Sequence, residues 1–215
     1  MAKVTIKPED LSFRPATPED AKVTSGLIYE TFPKVATFTI GLGSEERAKM
    51  ILEKVFAIPG HRLSFEETAL AIYQGRIIGA LIAIPASRLA KLDRRTDRLI
   101  LKQYRLRGKI ALIVRTWPLV FMKDVKRRDY VIGNLAVKQA YRGKGVGGLI
   151  LAHAEEEARA AGLKRLSLRV AIENKSAKAL YEKAGFETTA MYLESNRRVK
   201  VAGAGYRWMV KKISA

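Results

Sequence analysis

The segment from Arg142 to Gly148 holds four glycines and two cations, Arg142 and Lys144, directly before a predicted helix. Residues without side chains let a ligand approach the backbone closely, and the free N–H groups at a helix N-terminus attract anions. The two cations add positive charge beside those N–H groups. This combination predicts a site for phosphate or pyrophosphate.

Two nucleotide-binding patterns compete for this loop. Gly143, Gly145 and Gly148 spell G-x-G-x-x-G, but a dinucleotide loop follows its strand at once and precedes an acidic residue by about twenty positions. Here residues 138–142 intervene, and residues 163–169 carry only basic charge. A nucleoside-triphosphate loop needs Ser or Thr after its lysine, whereas Lys144 precedes glycine. Both patterns fit poorly.

Hydrophobic periodicity predicts the elements that must hold the loop, in a mixed α/β order. An apolar strand, Tyr130 to Val137, precedes it, and a helix from Val146 to Ala161 follows it. Further strands are predicted at Leu11–Arg14, Thr68–Tyr73, Arg76–Ile84, Leu166–Val170, Glu187–Tyr192 and Gly205–Lys212. Further helices are predicted from Thr17 to about Phe32, from Ser44 to before Pro59, and from Ser176 to Ala184.

The segment Ser87 to Arg128 interrupts this order of strands and helices. Its apolar residues predict one amphipathic helix from Leu89 to Leu106 and a second apolar piece from Ile110 to Met122. More than half of the net charge of +19 lies here. We interpret it as a basic helical insertion. It could attract nucleic acid, but it has no interleaved aromatic ladder, so a lid or a solvated face is favoured.

Length and composition set further limits. A chain of 215 residues fits a single domain, here 1–215 with its insertion at about 87–128. The absence of cysteine excludes disulfides, thiolate metal sites and a cysteine nucleophile, and we expect no metal. No stretch approaches the ~20 apolar residues of a membrane span, and the beginning of the chain lacks a signal-peptide pattern, so we expect a cytoplasmic protein.

Two motifs in order resemble those of the GCN5-related N-acetyltransferase (GNAT) superfamily. The first is Arg142-x-x-Gly145-x-Gly147 after a strand that ends in Val137. The second begins at Asn174 and runs through a short helix carrying Tyr181 to Gly185-Phe186. The resemblance is firm from Tyr130 to Met191, looser over residues 11–86 and absent over the insertion.

The resemblance implies an acyl-CoA N-acyltransferase fold, a mostly antiparallel central sheet of six or seven strands flanked by helices. It implies that acetyl-CoA is the co-substrate and that an acetyl group passes to a primary amine. Tyr181 would protonate the coenzyme sulfur as general acid, although it also borders an apolar helical stripe and could simply pack. The implied coenzyme contacts are Leu135, Ala136, Val137, Arg142, Gly143, Lys144, Gly145, Val146, Gly147, Gly148, Asn174, Ala177 and Tyr181.

The sequence leaves the acceptor and the general base open. Members that acetylate ribosomal-protein N-termini place a glutamate twelve residues before the tyrosine, where this chain has Arg169. Substitutes for that base are Asp129, Glu30, Glu66, Glu67 or water. The acceptor could be a small molecule or a protein amine, and a homodimer is compatible with the sequence. The alternative function is a non-catalytic module on the same fold that binds acyl-CoA or nucleic acid.

Overall fold

Seven strands form one sheet in the computed structural model, which describes residues 5–116, 125–194, 200 and 203–213. The strands are β1 (Leu11–Pro15), β2 (Thr68–Tyr73), β3 (Arg76–Pro85), β4 (Tyr130–Val137), β5 (Arg165–Ala171), β6 (Glu187–Leu193) and β7 (Gly205–Lys212). Their order is β1-β2-β3-β4-β5-β7-β6. Only β4 and β5 are parallel; the other neighbours are antiparallel. The predicted fold class is confirmed.

The helices flank this sheet on both faces. They are α1 (Ala21–Thr31), α2 (Pro33–Phe38), α3 (Glu45–Phe56), α4 (Ala86–Lys102), α5 (Leu106–Thr116), α6 (Val146–Ala160) and α7 (Lys175–Lys183). Capping residues start several of them as expected: Ser44 accepts the N–H of Arg47 at α3, and Thr17 with Asp20 forms a capping box before α1. Within the described residues, no helix is long and apolar enough to cross a membrane.

The basic segment holds two helices, and the first of them ends before the predicted boundary at Leu106. Helix α4 ends at Lys102, and the hydroxyl of Tyr104 then donates to the carbonyl of Ile40. Leu92 and Ile100 of α4 are buried in the same core as α1 and α3, so α4 packs as part of the domain. Residues 117–124, which include the last part of the second predicted apolar piece, lie outside the described residues.

The core lies in two layers, one on each face of the sheet. Helices α1, α3 and α4 cover one face, where Ile28, Phe56 and Ile82 are buried. Helix α6 covers the other face, where Ile150 and Leu168 are buried. Burial of this apolar surface is the main stabilising term, and it holds β4 and β5 between the two layers.

Asp129 secures the join between α4 and β4. Its carboxylate is fully buried, pairs with Arg165 at 3.0 Å and accepts the N–H of Lys126, while its carbonyl accepts the N–H of Ala86. Replacing Asp129 leaves the guanidinium of Arg165, which is only 21% exposed, without its counter-charge. We therefore expect Asp129→Ala to lower the free energy of unfolding by about 3–5 kcal/mol. Chemical denaturation checks this; a loss below about 1 kcal/mol would contradict it.

Candidate functional site

The glycine loop turns sharply before α6. Gly143 and Gly145 have φ of 73° and 90°, in the left-handed region that other residues rarely adopt. Gly145 is the N-cap of α6 and has no side chain to satisfy the first N–H groups of the helix. Alternation of left- and right-handed backbone turns successive N–H groups toward one side, which forms an anion-binding concavity.

Five consecutive backbone N–H groups, those of residues 143–147, donate to no described atom. The flanking ones are used: the N–H of Arg142 donates to Gln139, and that of Gly148 donates to Gly145. A Cβ on Gly148 would meet nothing within 4 Å, so the space before the helix is open. The loop thus offers the N–H groups of residues 143–147 to a pyrophosphate. This set is smaller than the predicted one, which covers residues 142–148.

Side-chain and backbone contacts fix the loop from two directions. The Nε of Arg142 donates to the carbonyl of Val137 at 2.8 Å, and its Nη2 pairs with Glu30 on α1. On the other side, the N–H of Ile6 donates to the carbonyl of Lys144 at 2.9 Å. Arg142 is therefore a brace of the loop, while the Lys144 ammonium lies 5.4 Å from the centre of the Tyr141 ring.

Strands β4 and β5 separate beside the loop. Their pairing covers Tyr130 to Ile132 on β4 and ends at the pair Ile132–Leu168. A register shift in the pairing with β3 makes Gly133 an extra residue, a β-bulge just beyond that last pair. Residues 133–137 then have no partner on the β5 side. The two strands thus form a fork that opens toward the glycine loop.

The alternation of an antiparallel ladder decides which groups face the fork. Lys138 donates its N–H to Ile78, so the next inward pair, Ala136 with Ala80, also bonds across to β3. The backbone groups of Leu135 and Val137 consequently point away from β3 and into the fork. The carbonyl of Val137 already accepts from Arg142. Leu135 therefore offers both backbone groups, Val137 its N–H, and Ala136 neither.

Tyr181 lies on α7, which packs on the glycine loop. A Cβ on Gly147 would lie 2.8 Å from a terminal methyl carbon of Leu180, so this glycine lets the loop and the helix pack closely. Tyr181 is buried in the same cluster as Val146, Ile132 and Leu168, and its hydroxyl bonds to no described residue. Burial raises the pKa of Tyr181 to about 12, so the phenol is protonated at neutral pH.

Asn174 starts the helix that carries Tyr181. Its Oδ1 accepts the N–H of Ala177 and the hydroxyl of Ser176, each at 3.1 Å. The amide of Ala177 is therefore occupied by this cap, whereas the side-chain NH₂ of Asn174 is exposed and available. The structure gives Asn174 a helix-capping role.

The chain is similar in sequence to known proteins. The sequence profile described as the Acetyltransferase (GNAT) family matches residues 43–186. The chain belongs to the GNAT acetyltransferase family. Over 63 residues it is 36% identical to the uncharacterized N-acetyltransferase YycN of Bacillus subtilis (strain 168), a match that spans 29% of this chain and 40% of that relative.

Solved acetyltransferase structures share the GNAT fold of this chain. An N-acetyltransferase from Staphylococcus aureus Mu50 aligns with a TM-score of 0.69 and 19% identity, over 93% of this chain and 99% of that one. Another acetyltransferase aligns with a TM-score of 0.67 and 21% identity, over 94% of this chain and all of the other. At these identities the likeness establishes the fold. GNAT proteins normally use acetyl-CoA as co-substrate.

The acidic residues that could replace the family's glutamate base are all engaged elsewhere in this GNAT domain. Glu30 pairs with Arg142, Glu67 pairs with Arg88, and Glu66 accepts the N–H of Gly60 at 2.6 Å. Asp129 lies at the paired end of β4 and β5, away from the opening of the fork. The structure brings none of the four to the fork with a free carboxylate.

Two residues at the base of the fork are not among the site residues that the sequence predicts. Arg62 and Trp208 line a cavity of about 50 Å³ together with Gly133 and Arg169. Arg169 stands in the position of the family's glutamate and is exposed. Removal of water from part of its side chain and the like charge of Arg62 lower the pKa of Arg169. Because Arg62 is far away in the sequence, no local pattern connects it to β4 or β5.

Proposed function

We propose that this GNAT protein is an acetyl-CoA-dependent N-acetyltransferase that acylates a primary amine. The observation that carries the proposal is the continuity of two features, the free N–H groups of 143–147 and the fork between β4 and β5. One end of this surface suits a pyrophosphate, and the other offers the backbone groups of Leu135 and Val137 to an extended amide-containing arm. Bound there, acetyl-CoA supplies an acyl group activated as a thioester.

The residues of the chain have separate tasks in this reaction. The loop amides bind the phosphates, and Leu135 and Val137 align the thioester, which converts an encounter of two molecules into a positioned attack. The ammonium of the substrate loses a proton to water, and the neutral amine nitrogen attacks the thioester carbon. The nitrogen then releases a second proton to water as the carbon–sulfur bond breaks. Tyr181 gives its proton to the departing sulfur and regains one from solvent. The products are an N-acetyl amine, CoA and one proton.

A thiol-release assay with acetyl-CoA and a panel of amines tests the proposal. Because the chain contains no cysteine, the protein adds no background to a thiol reagent. Amine-dependent release of CoA is the expected result. If acetyl-CoA binds but no amine accelerates thiol release, the chain is a non-catalytic acyl-CoA-binding module.

Nucleic-acid binding on the same fold remains the other alternative, motivated by the basic segment 87–128. Binding that uses this segment depends steeply on salt, because Lys and Arg displace counterions from phosphates. The nucleic-acid-binding alternative would be favoured if affinity for DNA or RNA falls steeply with salt and rises with the length of the nucleic acid, and if no CoA is released.

A further inference from the structure

Three side chains from three separate elements converge on the cavity at the base of the fork. Arg169 on β5 and Trp208 on β7 are direct cross-strand neighbours, so their side chains leave the same face of the sheet. Arg62 arrives from the segment before β2 and lies against the bulge: a Cβ on Gly133 would be 3.0 Å from its Nη2. A side chain at position 133 would therefore displace the guanidinium of Arg62 by a few tenths of an ångström.

Neighbouring groups hold Arg62 firmly in this place. Its backbone N–H donates to Thr96 on α4 at 3.1 Å, and the preceding residue, His61, is fully buried with its ring bonded to Val55 and Leu63. Asp93 on α4 accepts from Nη1 of Arg62 at 3.2 Å. A side chain anchored at both backbone and guanidinium has lost its freedom before any ligand arrives, which favours binding.

Two buried N–H donors at this cavity lack a hydrogen-bond partner. The Nε of Arg62 is buried without a hydrogen-bond partner, and so is the Nε1 of Trp208, a residue only 3% exposed. A buried N–H without an acceptor costs free energy, so such groups in a native protein take a partner, either an ordered water or a ligand. Trp208 and the two guanidinium groups can only donate, and the arginines are cationic, so a ligand that fits them is an acceptor with negative charge.

The position of the cavity relates this anion to the acyl-transfer chemistry. Gly133 and Arg169 are the first residues beyond the last β4–β5 pair, and the glycine loop lies past the other end of β4. Four residues of strand, about 13 Å, separate Gly133 from Val137. A coenzyme arm that enters from the loop and follows the fork therefore directs its acyl end toward the three donors.

Resting on the function proposed above, we propose that the acceptor amine carries a carboxylate, which Arg62, Arg169 and Trp208 bind beside the thioester. A volume of about 50 Å³ suits a group of this size. Asp93, with Asp97 near enough to interact electrostatically, places negative charge next to the arginines. Opposite charges side by side match a molecule that bears both an ammonium and a carboxylate.

A binding experiment tests the anion site independently of catalysis. N-acetylglycine and N-acetylglycinamide have nearly the same size and differ in charge, and their dissociation constants can be compared by NMR titration of the CoA-bound protein. We expect the carboxylate to bind at least about tenfold more tightly, because its hydrogen bonds are charge-assisted. Arg169→Gln should remove that preference. Arg76→Gln, an exposed charge change on the β2–β3 hairpin, should keep it.

Equal affinities of the two compounds for the unmodified protein, or a preference that survives in Arg169→Gln, overturn the proposal. Trp208→Phe provides a second variant in case Arg169→Gln misfolds. It removes one N–H and keeps an aromatic ring, and it should weaken N-acetylglycine by a few-fold without changing N-acetylglycinamide.

Turnover then identifies which substrate carries the carboxylate. With acetyl-CoA, we expect amino acids to have kcat/KM values at least about tenfold above those of the amines made from them by decarboxylation. If succinyl-CoA outperforms acetyl-CoA with those decarboxylated amines, the carboxylate belongs to the acyl chain and the acceptor assignment is wrong. Equal kcat/KM values for amino acids and their decarboxylated amines would contradict this inference and leave the proposed function intact. If no combination of acyl-CoA and amine releases CoA, the proposed function is wrong.

Discussion

Gly148→Glu is expected to abolish acetyl-CoA binding while the domain stays folded. Gly148 follows the free amides by one residue, and its missing Cβ leaves open space in front of α6. A glutamate there places bulk and negative charge where the phosphates bind. Loss of two or more charge-assisted hydrogen bonds corresponds to roughly a hundredfold weaker binding or more, measured by calorimetry.

The stability of the same variant separates a blocked site from a misfolded protein. Glutamate is a better helix former than glycine, and its charge is favourable in the first turn of a helix. The melting temperature should therefore stay unchanged or rise. Gly145 is a poorer choice, since its φ of 90° strains any other residue.

The matched control for this variant is Ala160→Glu. Ala160 is exposed at the other end of α6, about 18 Å along the helix axis, so it brings the same charge to the same helix away from the loop. It should bind acetyl-CoA normally. Unchanged affinity in Gly148→Glu, or equal loss in both variants, would remove the loop from the coenzyme site.

Tyr181→Phe is expected to lower kcat by roughly ten-fold to a thousand-fold, the range that general acids contribute. Burial holds the pKa of Tyr181 at about 12, so the phenol keeps its proton throughout the neutral range and has it to give to a departing thiolate. The hydroxyl bonds to no described residue, so its removal should cost little stability. Acetyl-CoA affinity and Tm should be nearly unchanged.

Tyr130→Phe is the control for the loss of a phenol in the same core layer. The hydroxyl of Tyr130 donates to Glu157 on α6 at 3.0 Å and lies at the paired end of β4. Its removal should reduce stability and leave kcat intact. If Tyr181→Phe shows that same pattern, Tyr181 is a packing residue, and water or another group protonates the sulfur.

The contrast between Arg142 and Arg169 shows what local sequence could and could not predict about the site. Arg142 was expected to strengthen the phosphate field, but its guanidinium is held by Val137 and Glu30, contacts that need β4 and α1 in their folded places. From the sequence, Arg169 is only the residue that replaces the family's glutamate base. Its neighbours across the sheet and at the bulge, Trp208 and Arg62, give it a different chemistry.

The predicted end of the first helix in the basic segment was wrong for a related reason. Neither glycine nor proline marks Gln103 to Arg105, and the apolar period continues across it, so the sequence predicts that the first helix extends to Leu106. The helix ends where Tyr104 reaches the carbonyl of Ile40, a residue far away in the chain. Tertiary contacts of this kind override a local preference that is worth only a fraction of a kcal/mol per residue.

Local rules by themselves determined the strands, most helix starts and the glycine loop, because capping, periodicity and left-handed glycines act within a few residues. Motif resemblance added the family and the coenzyme surface. The tertiary structure alone decided which loop amides stay free, which backbone groups of β4 face the fork, and that Arg62 meets Arg169 and Trp208. Those properties depend on strand register and on contacts between distant segments, which are set only when the two core layers pack.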